Sequence, residues 1–413
     1  LAEYVSEGWD SEAEMILRDL TVSNRIVPLQ YLYGGYLVYK EGQSALNFIA
    51  DRYGEEKIAE IVRHLARTQN LERSLREAIG LSTTELSAEW VKWLQRAYWP
   101  EVAGRSRVDE VAKLVTDHRK DNSYFNLAPE LSPDGKRVVF LTDRTGYAGI
   151  YVASTLDGQI LRQLVKGERS DEFETLHILR PGFSWSPDGT RICFVAKAGE
   201  SDALHIVDAE SGDLLESFRF DLDGVFTPAW SPSGSMIAFV GTKYGASELY
   251  IVESAGGEPV RLTDDYADEQ DPCWSPDGQH IAFSSDRDSP PSERFERRYD
   301  IYSIDVATRR VERLVASIGD DWSPAWSPDG KTVVYSSDRG GTPNLYAADI
   351  VAGTSVRLTN FIGGAASPTW DGSGERLAFA HYGEGGWDIA VVKAPLTRLV
   401  GEGPESDRLA SVV

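Results

Sequence analysis

Hydrophobic positions along the chain fall into two regimes. Up to about residue 100 they recur with helical spacing. Ile58, Ile61, Val62 and Leu65 sit at i, i+3, i+4 and i+7, one face of a helix. Leu86, Trp90, Trp93, Leu94 and Ala97 mark the face of a later helix, which Pro100 stops. Ser11–Glu14 and Ser82–Glu85 have the form of capping boxes, and Gly80 that of a C-cap. Between them, Pro28–Tyr53 is rich in aromatics, with Gly34, Gly35 and Gly42 allowing close packing or breaks.

Beyond residue 110 the apolar stretches shorten to strand length and are bounded by Gly, Pro and Asp. One unit recurs six times. Its turn begins at Leu131, Trp185, Trp230, Trp274, Trp326 and Trp370, in steps of 54, 45, 44, 52 and 44 residues. A period of that size built from short strands predicts a β-propeller with one blade per repeat. In the fifth repeat, four strands are expected at Pro324–Trp326, Thr332–Ser336, Asn344–Ala348 and Ser355–Leu358. The Ser-Pro-Asp-Gly turn joins the first two: Pro presets φ, Asp bonds its own turn, and Gly takes positive φ. Ser231–Gly234 replaces only the Asp, and Asp371–Gly374 keeps the final Gly.

The expected fold is therefore mainly β: a six-bladed propeller behind a small N-terminal all-α domain. Residues 1–100 form the helical domain, 101–110 a polar connector, 111–400 the propeller and 401–413 a polar tail. Val111–Thr116 has the pattern of the outer strands at Val260–Thr263 and Val356–Thr359, yet it precedes the first blade. It is the preferred candidate to complete the sixth blade, with Pro395–Val400 as the competitor.

The Trp before each turn could serve as a stacking platform. Packing between blades is the stronger reading, because burying ~200 Å² per ring is worth on the order of 5 kcal/mol gross. The pairs Asp143-Arg144, Asp286-Arg287 and Asp338-Arg339, and the acids Glu248, Asp300 and Asp388 that open third strands, have the look of braces internal to the repeat.

The formal net charge is −23. Residues 1–104 hold 16 acids and 11 bases, so most of the excess lies on the propeller. That disfavours a nucleic-acid partner and permits cations or basic partners. No apolar run approaches the length of a membrane span, and no signal peptide is visible. Cys193 and Cys273 fall in non-adjacent blades and are expected as buried thiols rather than a disulfide.

The unit WSPDG-x-x-[IV]-[AV]-[FY]-x-[ST]-[DE]-R resembles TolB-like (WD40-like) propellers over about 290 residues. The resemblance implies a six-bladed ring, commonly exported to the periplasm or cell surface, that binds proteins or peptides at its channel mouth. The helical domain resembles the segment following the zinc site of gluzincin (peptidase MA-like) metallopeptidases. The resemblance rests on Leu1–Tyr4, Tyr33–Gly35, Phe48–Ile58 and Glu85–Trp90. In that family the HExxH histidines and the ligand Glu would precede Leu1, so no zinc ligand carries over, and HExxH occurs nowhere in the chain. The chain is then a fragment of a longer protein or the remnant of a dead peptidase, with zinc expected only if an upstream half exists.

The loops entering each inner strand and those joining second to third strands are expected on one face, where propellers carry function. There lie Asp264, Asp265, Asp268, Glu269 and Asp271 before blade four, and Asp320, Asp321 and Trp322 before blade five. The insertion Asp288–Arg298 adds Arg294, Phe295, Arg297 and Arg298, while Tyr124, Phe125, Phe226 and Phe361 occupy equivalent connections. The functional reading is an acidic, aromatic-edged funnel for a basic or amine-bearing peptide. The bland reading is a solvated acidic face. Clustered oxygens would suit calcium, though no EF-hand-like spacing occurs.

Three classes of function stay open on the sequence. One is a protein- or peptide-binding platform with a helical docking domain, non-catalytic as given. The second is part of a zinc metallopeptidase whose propeller filters substrate. The third, a serine peptidase of the prolyl oligopeptidase type, is disfavoured because no GxSxG elbow occurs.

Overall fold

The computed structural model describes residues 4–5, 9–34, 37–166, 175–176, 178, 180–199, 201–265, 267–289, 297–398 and 406–408. The chain divides into two compact units, residues 1–105 with 383–385 and residues 106–382 with 386–413.

The first unit is helical: α1 (Ser11–Val22), α2 (Leu37–Tyr53), α3 (Glu56–Thr68), α4 (Leu71–Ile79) and α5 (Thr83–Tyr98). Its core gathers Leu17, Phe48, Ile58, Ile61, Leu75, Leu86, Trp90 and Leu94. The capping box at Ser82 and Glu85 forms, and Gly80 ends α4 at φ 78°. At the start of α1 the cap is Asp10, not Ser11: its carboxylate accepts from Ala13 N at 2.6 Å. Two residues assigned to apolar faces are exposed, Val62 and Ala97, and Tyr98 takes the inward place on α5. Pro100 ends the α-helix, which tightens into a 3₁₀ turn over Trp99–Gly104. Leu1–Glu3 and Gly35, part of the gluzincin resemblance, lie outside the described residues.

The second unit is six antiparallel sheets, and in blades one, three, four and five the strands run from inner to outer in sequence order. Blade one is Asn126–Leu131, Arg137–Thr142, Gly149–Ser154 and Ile160–Val165; blade five is Asp321–Trp326, Thr332–Ser337, Asn344–Asp349 and Thr354–Arg357. The inner strands contact one another in order and the last meets the first, closing a ring. Lys113–Leu114 pairs with Ala390–Val391 as the fourth strand of blade six. Pro395–Arg398, the competing segment, is a helical turn, and Ser406–Arg408 adds a fifth strand beside Thr354–Val356.

Each turn works as its residues require. Ser132 Oγ donates to Asp134 Oδ1 at 2.6 Å, Lys136 N donates to the same oxygen, and Gly135 has φ 67°. Blade six reverses the roles: Asp371 stands where Ser stands elsewhere, and Ser373 Oγ donates to it at 2.8 Å. The Trp rings are structural. Trp185 Nε1 donates to the Glu130 carbonyl of the preceding blade at 3.0 Å, and Trp274 Nε1 to that of Ala229. Arg137 and Arg191 lie 4.7 and 4.9 Å over Trp185 and Trp230, a cation–π contact worth about 0.5–1 kcal/mol.

The inner strands carry a feature hidden in the repeat. Ala128, Thr227, Asp271, Ser323 and Ser367 each precede a proline, have φ between 43° and 54°, and interrupt the register with the second strand. Proline has no N–H for the ladder and disfavours the right-handed region in the residue before it. A bulge resolves both constraints and turns the proline onto the channel wall.

Candidate binding site at the channel mouth

The Asp-Arg pairs tie each blade to its own entry loop. Asp143 Oδ1 accepts from Tyr124 N, Asp286 Oδ1 from Asp268 N and Asp338 Oδ1 from Asp320 N, at 2.7, 2.8 and 2.7 Å. The arginines stack on the aromatics of the second and third strands. Arg144 lies over Phe140 and Tyr151, Arg287 over Phe283 and Tyr302, and Arg339 over Tyr346. In blade four Arg287 also bonds Glu269 at 2.5 Å and Asp265 at 3.2 Å.

This bracing withdraws several predicted site residues from the face. Glu269 and Asp321 are fully buried, and burial pushes their carboxyls up to about 8 and about 7. Phe361 is a core residue, 1% exposed and stacked on Phe379 at 6.0 Å. Sequence position placed all three in the loop, but Glu269 and Asp321 are the first residues of their inner strands, and Phe361 turns from its connection into the core. Asp264 is exposed and paired with Arg261 at 2.6 Å. Arg294 and Phe295 lie outside the described residues. Arg297 bonds Asp286 at 2.7 Å, and Arg298 donates to the Ile318 carbonyl.

What remains converges on Asp268. Its Oδ2 accepts from Arg180 at 2.9 Å, from the Tyr299 hydroxyl at 2.5 Å and from Gln270 at 3.0 Å. Burial raises the Asp268 carboxyl, but hydrogen bonds from Ser247 and Tyr299 and the Arg180 charge outweigh it and hold the group below its ordinary value. The Arg180 guanidinium also lies 5.6 Å over Phe226. Arg180 enters blade two and Asp268 enters blade four, so the pair spans the entry to blade three. Asp320 accepts from Tyr299 N at 2.9 Å. Tyr124 is exposed at its own entry loop, and Trp322 is half-buried on the inner strand of blade five.

Inside the ring lies a cavity of about 490 Å³. Among the described residues its wall is proline, tryptophan and small residues, with three acids, Glu130, Asp271 and Asp371, and no base. Asp271 accepts from Ser323 Oγ at 2.8 Å, and burial raises its carboxyl. Glu130 accepts from Thr369, and burial pushes it up to about 7. Glu130 escaped the sequence reading. The signal was present: it is the only charge at a repeat position otherwise held by Ser184, Ala229, Cys273, Ala325 and Thr369.

Among the described residues one group of three, Glu248, Asp265 and Glu269, brings ligand oxygens within 4.8 Å of one another. Oxygen donors suit calcium, and Glu248 Oε2 and Glu269 Oε2 have no hydrogen-bond partner. Arg261 and Arg287 nevertheless already bond all three carboxylates, so a cation would meet two guanidinium charges, and the set does not fit a calcium site. Both cysteines are free thiols, and burial pushes Cys273 up to about 12.

The ring and its turns define a six-bladed β-propeller with an acid-lined channel. A family model described as the TolB beta propeller domain matches residues 174–292 and 293–405, and the chain belongs to that family. It is 27% identical over 168 residues to the uncharacterized peptidase YuxL of Bacillus subtilis, covering 38% of this chain and 21% of that protein. It is 36% identical over 70 residues to the Tol-Pal system protein TolB of Alcanivorax borkumensis, covering 17% and 14%. The matches thus span about a fifth or less of these relatives. The crystal structure of TolB from Acinetobacter baumannii is similar at 19% identity and a TM-score of 0.47, over 76% of this chain and 71% of that one. No described helix is long and apolar enough to cross a membrane.

Proposed function

We propose that the ring is a binding platform that takes a basic segment of a protein or peptide at its channel mouth, with the helical unit as a docking module. The observation that carries this reading is the set of carboxylates Asp271 and Glu130 in the lumen with Asp268 at the rim, and no base among the described residues that line the cavity. A low-dielectric lumen lined by charge of one sign concentrates the opposite charge. Arg180 supports the chemistry: seated on Asp268 and over Phe226, it displays the kind of group the rim accommodates. The expected setting is the periplasm or cell surface, as for exported propellers of this kind.

Affinity selection of a random amidated heptapeptide pool on the immobilised protein tests the platform. Retained peptides should be enriched in Lys and Arg and released in molar salt, where the Debye length is about 3 Å. A retained pool with no basic enrichment overturns the reading.

A second reading draws on the likeness to a protein named as a peptidase. The propeller would filter substrate for a zinc peptidase unit encoded upstream of Leu1. Sequencing that coding region decides it: HExxH followed by a ligand Glu supports a peptidase, and their replacement removes it.

A further inference from the structure

We propose that the lumen itself, below the rim, is a seat for an alkylammonium side chain, a lysine of the bound segment, held between Glu130 and Asp271. This rests on the platform reading and extends it from the mouth to the channel.

The first ground is topology. Glu130 belongs to blade one and Asp271 to blade four. In a closed ring of six these blades face each other across the axis. All inner strands run from the mouth toward the Ser-Pro-Asp-Gly turns. Asp271 is three residues before its turn tryptophan and Glu130 one residue before the equivalent Leu131. The two carboxylates thus sit at different heights along the channel, Asp271 nearer the mouth. Opposed, staggered single carboxylates suit a compact point charge with three donors better than a planar fork that wants both oxygens of one acid.

The second ground is an unanswered polar atom. Thr227 lines the same cavity, is 8% exposed, and its Oγ1 has no hydrogen-bond partner. A buried hydroxyl without a partner is costly, and an ammonium would supply one of its three protons to it. Ser323 and Thr369 already donate to Asp271 and Glu130, which leaves the remaining carboxylate lone pairs for the guest.

The third ground is what surrounds the seat. The prolines that follow the bulged residues remove backbone N–H donors from the wall, so the lumen offers a cation few competing positive dipoles. Rings of acidic side chains make pores selective for cations by the same means.

The test uses a fluorescein-labelled amidated heptapeptide with one central lysine among Gly and Ser, its acetyl-lysine counterpart and its arginine counterpart. Anisotropy is measured on the wild-type chain, on the double variant Glu130→Gln with Asp271→Asn, and on Glu210→Gln as an exposed-acid control. The lysine peptide should bind wild type and Glu210→Gln alike, and at least about tenfold more weakly to the double variant. Acetylation should cost a similar factor, and arginine should bind more weakly than lysine. Equal lysine-peptide affinity for wild type and double variant overturns the lumen seat while leaving the platform standing. No binding of any basic peptide overturns the platform, and the seat with it. Should the double variant fail to fold, carbodiimide coupling on the wild-type chain gives the answer. A seated lysine must form its amide with Glu130 or Asp271, and coupling confined to rim acids such as Asp264 overturns the seat.

Discussion

His118 Nδ1 lies 2.7 Å from Asp388 Oδ2, joining residues 270 positions apart at the seam where the ring closes. Asp388 Oδ1 also accepts from His118 N at 2.8 Å, Thr116 Oγ1 at 2.9 Å and Asn126 Nδ2 at 3.2 Å. One buried carboxylate therefore clamps the N-terminal strand, the first blade and the last. Asp388→Ala is expected to lower unfolding stability by about 3 kcal/mol, the cost of breaking a buried, multiply bonded group. Urea denaturation checks this, and a midpoint within error of wild type removes the clamp from the account.

Arg287 offers a second point of leverage. It stacks on Phe283 and Tyr302 and bonds Glu269 and Asp265. Arg287→Ala should cost about 2–4 kcal/mol, since it leaves the buried Glu269 carboxyl without its hydrogen-bond donor and strips the cation from the Phe283 and Tyr302 rings. Adding Glu269→Gln should cost less than the sum of the two single changes, because both remove the same contact. Strictly additive single and double effects in a mutant cycle would falsify the coupling.

Stability should decline from mild acid toward mild base. Burial pushes Glu130, Asp321 and Glu41 up to about 7, and Glu269 up to about 8. The folded state thus holds these protons more tightly than the unfolded chain, whose carboxyls titrate near 4. Their contribution is complete below about pH 4 and is lost as pH rises through 7 to 8. The turn aspartates act oppositely. Hydrogen bonds from Ser186 and Thr190 lower Asp188 to about 2, so its contribution is present above about pH 4 and lost on further acidification. The melting temperature should therefore peak near pH 5 and be lower at pH 8. A higher value at pH 8 contradicts this.

At the rim, Arg180 competes with any basic guest for Asp268. Arg180→Ala should therefore raise affinity for a lysine peptide severalfold and steepen its salt dependence, because an acid becomes available at the mouth. Anisotropy titrations at two salt concentrations read both effects. A weaker complex would mean that Arg180 helps build the site rather than occupying it.

Much of the architecture is legible in the chain by itself. Blade number, blade boundaries, the turn chemistry and the extra outer strand before blade one follow from local rules. A Ser-Pro-Asp-Gly turn or a strand's alternation is satisfied within a few residues of backbone. The blade-five strands lie within a few residues of where periodicity puts them. The site is another matter. Asp265, Asp268 and Glu269 are nearly consecutive, yet one is exposed, one joins Arg180 and Tyr299, and one is sealed under Arg287. Glu130 and Asp271 are 141 positions apart and line one cavity. Whether a carboxylate faces solvent, an arginine or the lumen depends on partners remote in sequence, some from its own blade, as Arg287 and Tyr299, and some from another, as Arg180. Those partners arrive only when the blade folds and the ring closes, so burial and charge pairing at the channel are decided by tertiary structure.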